Sequence, residues 1–171
     1  MKTRRLIITN LIVSVLFLLP VKQLNLFTEN YSTLSLNAKG YFYLLFLGII
    51  IGLLLGYETS RISNNFYAIV MLLSLLIGVI IPHHVPYNIQ GNLHLIFAYI
   101  GFVGLVICTI INCKIKKYRD IYLLFIFAAI LSYLKFGMVN TLSEVIVMLA
   151  SLFINCLLYN RYGKKWVVLK D

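Results

Sequence analysis

Six apolar runs constrain this chain more than any other feature of its sequence. They cover residues 6–21, 41–57, 66–81, 93–111, 121–136 and 139–158. A helix needs about 20 apolar residues to cross the hydrocarbon core of a bilayer, and somewhat fewer where flanking side chains reach back to the interface. The runs therefore predict an all-α fold: a bundle of six transmembrane helices in a single domain, residues 1–171, with no soluble domain.

The composition excludes most soluble classes of protein. Hydrophobic residues make up 61% of the chain and charged residues 12%, whereas a soluble domain carries about half apolar and about a quarter charged residues. Too little charge remains to build a water-facing surface, which argues against a soluble enzyme and against a disordered tail. The Lys and Arg residues that give the chain its net charge of +10 lie between the apolar runs. We therefore attribute the charge to membrane topology and predict no nucleic-acid partner.

The positions of Lys and Arg predict the orientation of the chain. With the N-terminus inside, twelve of the fifteen fall on the inner side, and Lys22, Lys39 and Lys135 fall outside. Because inner loops carry the excess of positive charge, both termini are expected to be cytoplasmic. The first run lacks a small-residue cleavage site, so we interpret it as a retained anchor. Richness in Ile, Leu, Asn, Lys and Tyr is typical of a multi-pass protein of a bacterial cytoplasmic membrane.

Glycines in the second run predict close helix packing. They are Gly48, Gly52 and Gly56. Glycines four residues apart lie on one helix face and let another helix approach closely. We expect packing within the chain, with the small residues of the fourth run as partner, or alternatively a dimer seam. Those partner residues are Ala98, Gly101 and Gly104.

A polar stripe marks the sixth run. It consists of Asn140, Glu144, Met148, Ser151 and Asn155. Steps of three and four residues place these side chains on one helix face, and an acidic residue inside a span faces protein or a water-filled cavity. The stripe is therefore expected to face the other helices. The longest loop, residues 22–40, is predicted to lie outside, either on the membrane or as a cap on the bundle.

The three histidines are predicted near the outer surface, where Glu144 lies about 7 Å below the start of its helix. The candidate ligand-binding residues at this level are His83, His84, His94, Lys135, Asn140 and Glu144. Three interpretations remain open: a buried pair that fixes helix order, a site for a polar ligand or lipid head group, and a metal-assisted hydrolase or transferase. The chain lacks a spacing such as H-E-x-x-H, and three cysteines on the reducing side are expected to be plain thiols. We predict no metal and no cofactor.

Three short motifs carry a resemblance to a known family. They are Ile80-Ile-Pro82, Asn92-Leu-His94-Leu-Ile-Phe-Ala98-Tyr-Ile-Gly-Phe102 and Leu142-Ser-Glu144. The chain resembles the six-helix FRAG/DRAM/SFK-like membrane proteins and their bacterial relatives, and less closely the VanZ-like proteins, whose further Asp, Arg and Asn motifs are missing. The resemblance implies six spans, cytoplasmic termini, and a role tied to membrane lipids or to regulation of partner proteins.

The sequence thus favours a non-catalytic membrane protein that binds a lipid or a membrane partner through an outward-facing polar pocket. Its expected partners are membrane lipids, another membrane protein or a second copy of itself. One alternative is a small transporter or transporter subunit. The other is a membrane-embedded hydrolase or transferase that acts on a lipid-linked substrate through His94 and Glu144.

Overall fold

The computed structural model describes residues 2–62, 65–83 and 88–162. Within these ranges the chain is all-helical and contains no strand, which confirms the predicted all-α class. The six α-helices are α1 (Lys2–Leu18), α2 (Ala38–Ile62), α3 (Asn65–Ile80), α4 (Ile89–Asn112), α5 (Lys116–Phe136) and α6 (Thr141–Tyr162). Two short 3-10 helices, Leu19–Gln23 and Tyr31–Leu36, lie between α1 and α2. Each α-helix overlaps one of the six apolar runs.

One helix of the described ranges is long and apolar enough by itself to cross a membrane. It is Ile89–Ile111 of α4, with a mean hydropathy of 2.4. The core helix of a soluble protein can have the same composition, so one such helix does not define a membrane protein. The other apolar segments are shorter: Ile7–Gln23, Ala38–Leu54, Ile69–Ile80 and Thr141–Leu157.

The described residues form a strongly apolar surface and an interior in which polar side chains lie beside an apolar core. Large apolar side chains are exposed on every α-helix, among them Leu11, Phe42, Phe66, Ile111, Leu124 and Phe153. Beside the apolar core, several polar side chains are buried, among them Asn10, Ser74, His94, Thr109, Asn140, Ser151 and Asn155. Soluble proteins bury their Ile, Leu and Phe and expose most of their Asn and Ser.

Helix α3 lies between α2 and α4, and glycines line both of its contacts. A Cβ atom on Gly48 of α2 would lie 2.6 Å from Cγ1 of Val79, and one on Gly101 of α4 would lie 2.6 Å from Cγ of Leu75. The expectation that the glycines of the second run meet the fourth run is therefore wrong, because α3 occupies that position. The short connections on either side of α3 favour packing between neighbours in the chain. Gly56 belongs to α2, but its packing is not among the described features of the structure.

The loop between α1 and α2 folds over one end of the bundle. We call residues 25–36 the cap. The first backbone N–H groups of an α-helix have no partner within the helix. In α6 these groups belong to Thr141 and Leu142, which donate to the cap carbonyls of Glu29 at 2.6 Å and Leu26 at 3.0 Å. The cap therefore closes the bundle at the N-terminal end of α6, and it does not lie apart on a surface.

Candidate functional site

A cavity of about 210 Å³ lies beneath the cap, between α1, α2, α3, α4 and α6. Most of its wall is apolar and includes Leu47, Ile51, Leu75, Leu105 and Met148. Most polar residues of the wall lie at the cap end, namely Asn30, Tyr31, Ser32, His94 and Glu144, while Tyr99 lies further along α4. The wall thus has a polar mouth and an apolar body.

The cavity reaches well into the bundle. Its wall on α4 includes both His94 and Leu105, and eleven residues of α-helix span about 17 Å. Leu105 belongs to the buried core cluster that also contains Val13, Met71, Met148 and Leu152. The apolar end of the cavity therefore meets the centre of the helix bundle, while the polar end lies against the cap.

Glu144 joins α6 to the cap. Its Oε2 atom accepts a hydrogen bond of 2.9 Å from the backbone N–H of Tyr31. Glu144 lies in the first turn of α6, and its neighbours in the chain bring it to the cap side of the bundle. The carboxylate on the cavity wall is thereby fixed at the cap end.

Tyr31 anchors the cap by its side chain as well. Its ring stacks on Phe17 of α1, with the ring centroids 4.4 Å apart, and its hydroxyl donates to the carbonyl of Phe17. Burial, with a further contribution from the charge of Glu144, raises the pKa of the Tyr31 phenol. The hydroxyl therefore stays protonated and remains a donor at physiological pH.

His94 connects α4 to the cap and to the end of α3. Its Nδ1 atom lies 2.7 Å from the carbonyl oxygen of Ile81, and its Nε2 atom lies 2.7 Å from Oγ of Ser32. A carbonyl oxygen only accepts, so we assign the proton to Nδ1, and Nε2 of the neutral ring then accepts from the Ser32 hydroxyl. Both ring nitrogens of His94 are engaged in these two bonds. His94 therefore holds the cap through Ser32, whereas Glu144 holds it through Tyr31.

The remaining candidates occupy different places. His83 lies next to His94, with ring centroids 5.3 Å apart, and its backbone N–H donates to Oγ of Ser35 at 3.0 Å. Lys135 is exposed, with its Nζ 5.4 Å from the centroid of the Phe136 ring. His84 lies outside the described residues. The structure thus brings His94 and Glu144 to one cavity wall and places Lys135 away from it.

Asn140 is also absent from the residues that line the cavity. It is fully buried, and it exchanges hydrogen bonds of 3.1 and 3.0 Å with the Ser132 hydroxyl of α5. Its Oδ1 atom accepts from the N–H of Ser143 at 2.9 Å. Asn140 therefore caps the N-terminus of α6 and ties it to the end of α5.

A second polar contact lies deeper between α5 and α6. The hydroxyl groups of Tyr122 and Ser151 are 2.8 Å apart, and the Ser151 hydroxyl also donates to the carbonyl of Val147. The polar stripe of α6 thus serves two places: Glu144 and Met148 line the cavity, and Ser151 contacts α5. No group of three His, Cys, Asp or Glu side chains within the described ranges could hold a metal ion.

The cap residues Asn30, Tyr31 and Ser32 are functional candidates that sequence reasoning missed. They lie in a polar loop, which carries no periodic pattern and no recognisable site motif. The one usable signal was the presence of apolar residues such as Leu26, Leu34 and Leu36 among the polar residues of the longest loop, which allowed a cap as one of two placements. Nothing in that pattern indicates which cap residue meets Glu144 or His94.

Comparisons with known proteins add no relative. No protein-family model matches the chain, and neither the curated proteins nor the solved structures contain a match.

Proposed function

We propose that this chain is a multi-pass protein of a bacterial cytoplasmic membrane, with six spans and both termini on the cytoplasmic side. Three observations support the proposal: the length and hydropathy of α4, the exposed apolar side chains on all six helices, and the buried polar side chains between them. Most Lys and Arg residues fall on the side of the membrane that holds the N-terminus in this topology, and this excess makes that side cytoplasmic. The resemblance to the FRAG/DRAM/SFK-like family also implies six spans and cytoplasmic termini.

Cysteine labelling tests this topology. Cys113 is unsuitable as a reporter because it is buried, so we choose two exposed positions at opposite ends of α4. An impermeant thiol reagent added to intact cells is expected to label Gln90→Cys and to leave Lys114→Cys unlabelled until the cells are opened. The unsubstituted chain measures background labelling. Labelling of Lys114→Cys in intact cells would contradict the proposed orientation.

We further propose that the protein binds an amphipathic, lipid-like molecule in the cavity beneath the cap. The observation that carries this proposal is the division of the cavity wall into an apolar body and a polar mouth. An apolar cavity of about 150 Å³ already accommodates a benzene ring, so about 210 Å³ accommodates part of an alkyl chain. Pockets of this kind fix orientation by a few placed polar groups.

Filling the cavity tests the binding proposal. Leu47 is buried and lies on the wall, so Leu47→Trp places an indole in the space meant for an alkyl chain. We expect the protein to purify from membranes without the lipid-like molecule that copurifies, in stoichiometric amount, with the unsubstituted chain. Mass spectrometry of the extracted protein measures this loss.

A matched control separates cavity filling from the effects of a tryptophan in general. Leu134 of α5 is 68% exposed, so Leu134→Trp makes the same chemical change on the outer surface. This variant is expected to retain the bound molecule. Equal retention by both folded variants would contradict the assignment of the site to this cavity.

A further inference from the structure

One residue of the cavity wall lies at the outer surface of the bundle. Tyr99 of α4 lines the cavity, yet 49% of its surface is exposed. The other described wall residues are buried or half-buried. We infer that the cavity opens sideways beside Tyr99 and takes up its ligand from the hydrocarbon core of the bilayer. We call this opening the portal. The inference rests on the proposed membrane span and binding function, and it adds the source of the ligand.

The position of Tyr99 on α4 follows from helix geometry. Side chains three and four residues apart are neighbours on the surface of a helix. Ile96 and Val103, on one side of Tyr99, are exposed. Leu95 and Phe102, on its other side, line the cavity. Tyr99 therefore stands at the border between the outer face of α4 and the face that is turned to the cavity.

The depth of Tyr99 determines what the portal faces. In the apolar segment Ile89–Ile111, Tyr99 lies about 15 Å from the first residue, at 1.5 Å per residue. The hydrocarbon core of a bilayer is about 30 Å thick, so the portal lies near its middle. The exposed neighbours Ile96, Ile100 and Val103 are apolar as well. A molecule that reaches the portal must therefore already be dissolved among the acyl chains.

The polar mouth offers a less accessible route because the cap is bonded across it. The backbone N–H of Tyr31 donates to Glu144 of α6, and the Ser32 hydroxyl lies 2.7 Å from Nε2 of His94 on α4. A Cβ atom on Gly40, in the first turn of α2, would overlap a backbone carbonyl of the cap. Entry from the aqueous side would have to break these contacts together, whereas entry at the portal requires the movement of one tyrosine ring.

A thiol inside the cavity tests the route of entry. Leu47 is buried on the cavity wall, so Leu47→Cys supplies this reporter in the full-length protein in phosphatidylcholine nanodiscs. Two reagents share one reactive group: N-dodecylmaleimide, which dissolves in the bilayer, and a sulfonated maleimide, which stays in water. Peptide mass spectrometry measures alkylation at position 47, and the unsubstituted chain gives the background from its own cysteines. We expect the bilayer-dissolved reagent to react at position 47 much faster than the sulfonated one.

The size of the side chain at position 99 is expected to set the rate of alkylation. Combined with Leu47→Cys, Tyr99→Ala should accelerate the reaction with N-dodecylmaleimide about threefold or more, and Tyr99→Trp should slow it by a similar factor, because a gate of this kind controls access. Partial unfolding of a variant could only accelerate the reaction, so the slower rate with Trp distinguishes a gate from a loosened fold.

Tyr133 of α5 provides the matched control. It is 47% exposed and is not among the residues that line the cavity. Tyr133→Ala and Tyr133→Trp make the same chemical changes on the outer surface, and we expect both to leave the rate of alkylation at position 47 unchanged.

The outcomes distinguish the failure of the portal from the failure of the proposed function. If N-dodecylmaleimide alkylates position 47 equally fast in all Tyr99 variants, or if the sulfonated reagent reacts at least as fast, the portal is overturned while the cavity still admits an alkyl chain. If N-dodecylmaleimide does not exceed the background in any variant, the binding function itself is overturned. Rates that respond to Tyr99 in both directions, and to Tyr133 in neither, support both proposals.

Discussion

Replacement of Gly101 by leucine is expected to destabilise the protein by about 3 kcal/mol or more, since overpacking a tight contact costs roughly 1–3 kcal/mol and more where backbone must move. A Cβ atom at this position would lie 2.6 Å from Cγ and 2.9 Å from the backbone N of Leu75. The side chain of Leu75 can rotate, but its backbone cannot yield without shifting α3. Thermal unfolding in detergent, followed by circular dichroism, measures the effect.

Gly104 provides the matched control for this prediction. It lies on the same face of α4, one turn further along, and its nearest contact to an added Cβ is Cβ of Met71 at 3.3 Å. Gly104→Ala therefore requires Met71 to shift by a few tenths of an ångström, whereas the added Cβ of Gly101→Ala meets Leu75 at less than 3.0 Å. We expect a far smaller loss of stability for Gly104→Ala than for Gly101→Ala, the smallest change that adds this Cβ atom. Equal melting temperatures for the two alanine variants would mean that α3 and α4 are not held together at Leu75.

The helices of this fold were predictable because one physical signal defines them. Continuous apolar runs located the segments, and the structure has an α-helix at each run. The bounds were less predictable, since a helix continues as long as its backbone is bonded, whatever its hydropathy. Helix α5, for example, begins at Lys116, five residues before its apolar run. Polarity marks where a membrane could end, and it does not mark where a helix ends.

Neighbour relations and the cap could not be predicted from the same signal. The glycines of α2 indicate a close contact with another helix, but they do not specify which helix. In the structure α3, and not α4, packs against them. The cap depends on hydrogen bonds from single residues, such as Tyr31 to Glu144, which leave no periodic trace in the sequence. Glu144 was selected because a charge inside a span is costly unless it faces protein or water, and His94 because it was expected at the same level. The structure supplies partners to both, Tyr31 of the cap to Glu144 and Ser32 of the cap with the carbonyl of Ile81 to His94.

Asn140 shows why position along a helix is not enough to assign a residue to a site. It was predicted at the level of Glu144 and on the same helix face, yet its side chain turns to Ser132 of α5 and to the first turn of α6. We therefore expect Asn140→Ala to reduce stability by about 2–4 kcal/mol. Loss of an N-cap costs about 1 kcal/mol, and a buried hydroxyl left without its partner costs about 1–3 kcal/mol.

Asn140→Ser separates the two contributions. A serine oxygen can still accept from the N–H of Ser143, while it is too short to replace the amide that meets Ser132. We expect Asn140→Ser to be about 1 kcal/mol more stable than Asn140→Ala, because the serine keeps the cap of α6. Thermal unfolding in detergent of Asn140→Ala, Asn140→Ser and Ser132→Ala measures each part.

Binding in the same variants distinguishes a structural residue from a ligand residue. Asn140 is not among the residues that line the cavity, so folded Asn140→Ser is expected to retain the copurifying lipid-like molecule as the unsubstituted chain does. If Asn140→Ser remained folded and lost that molecule, the polar mouth would extend to Asn140, and the division between helix cap and ligand site would have to be withdrawn.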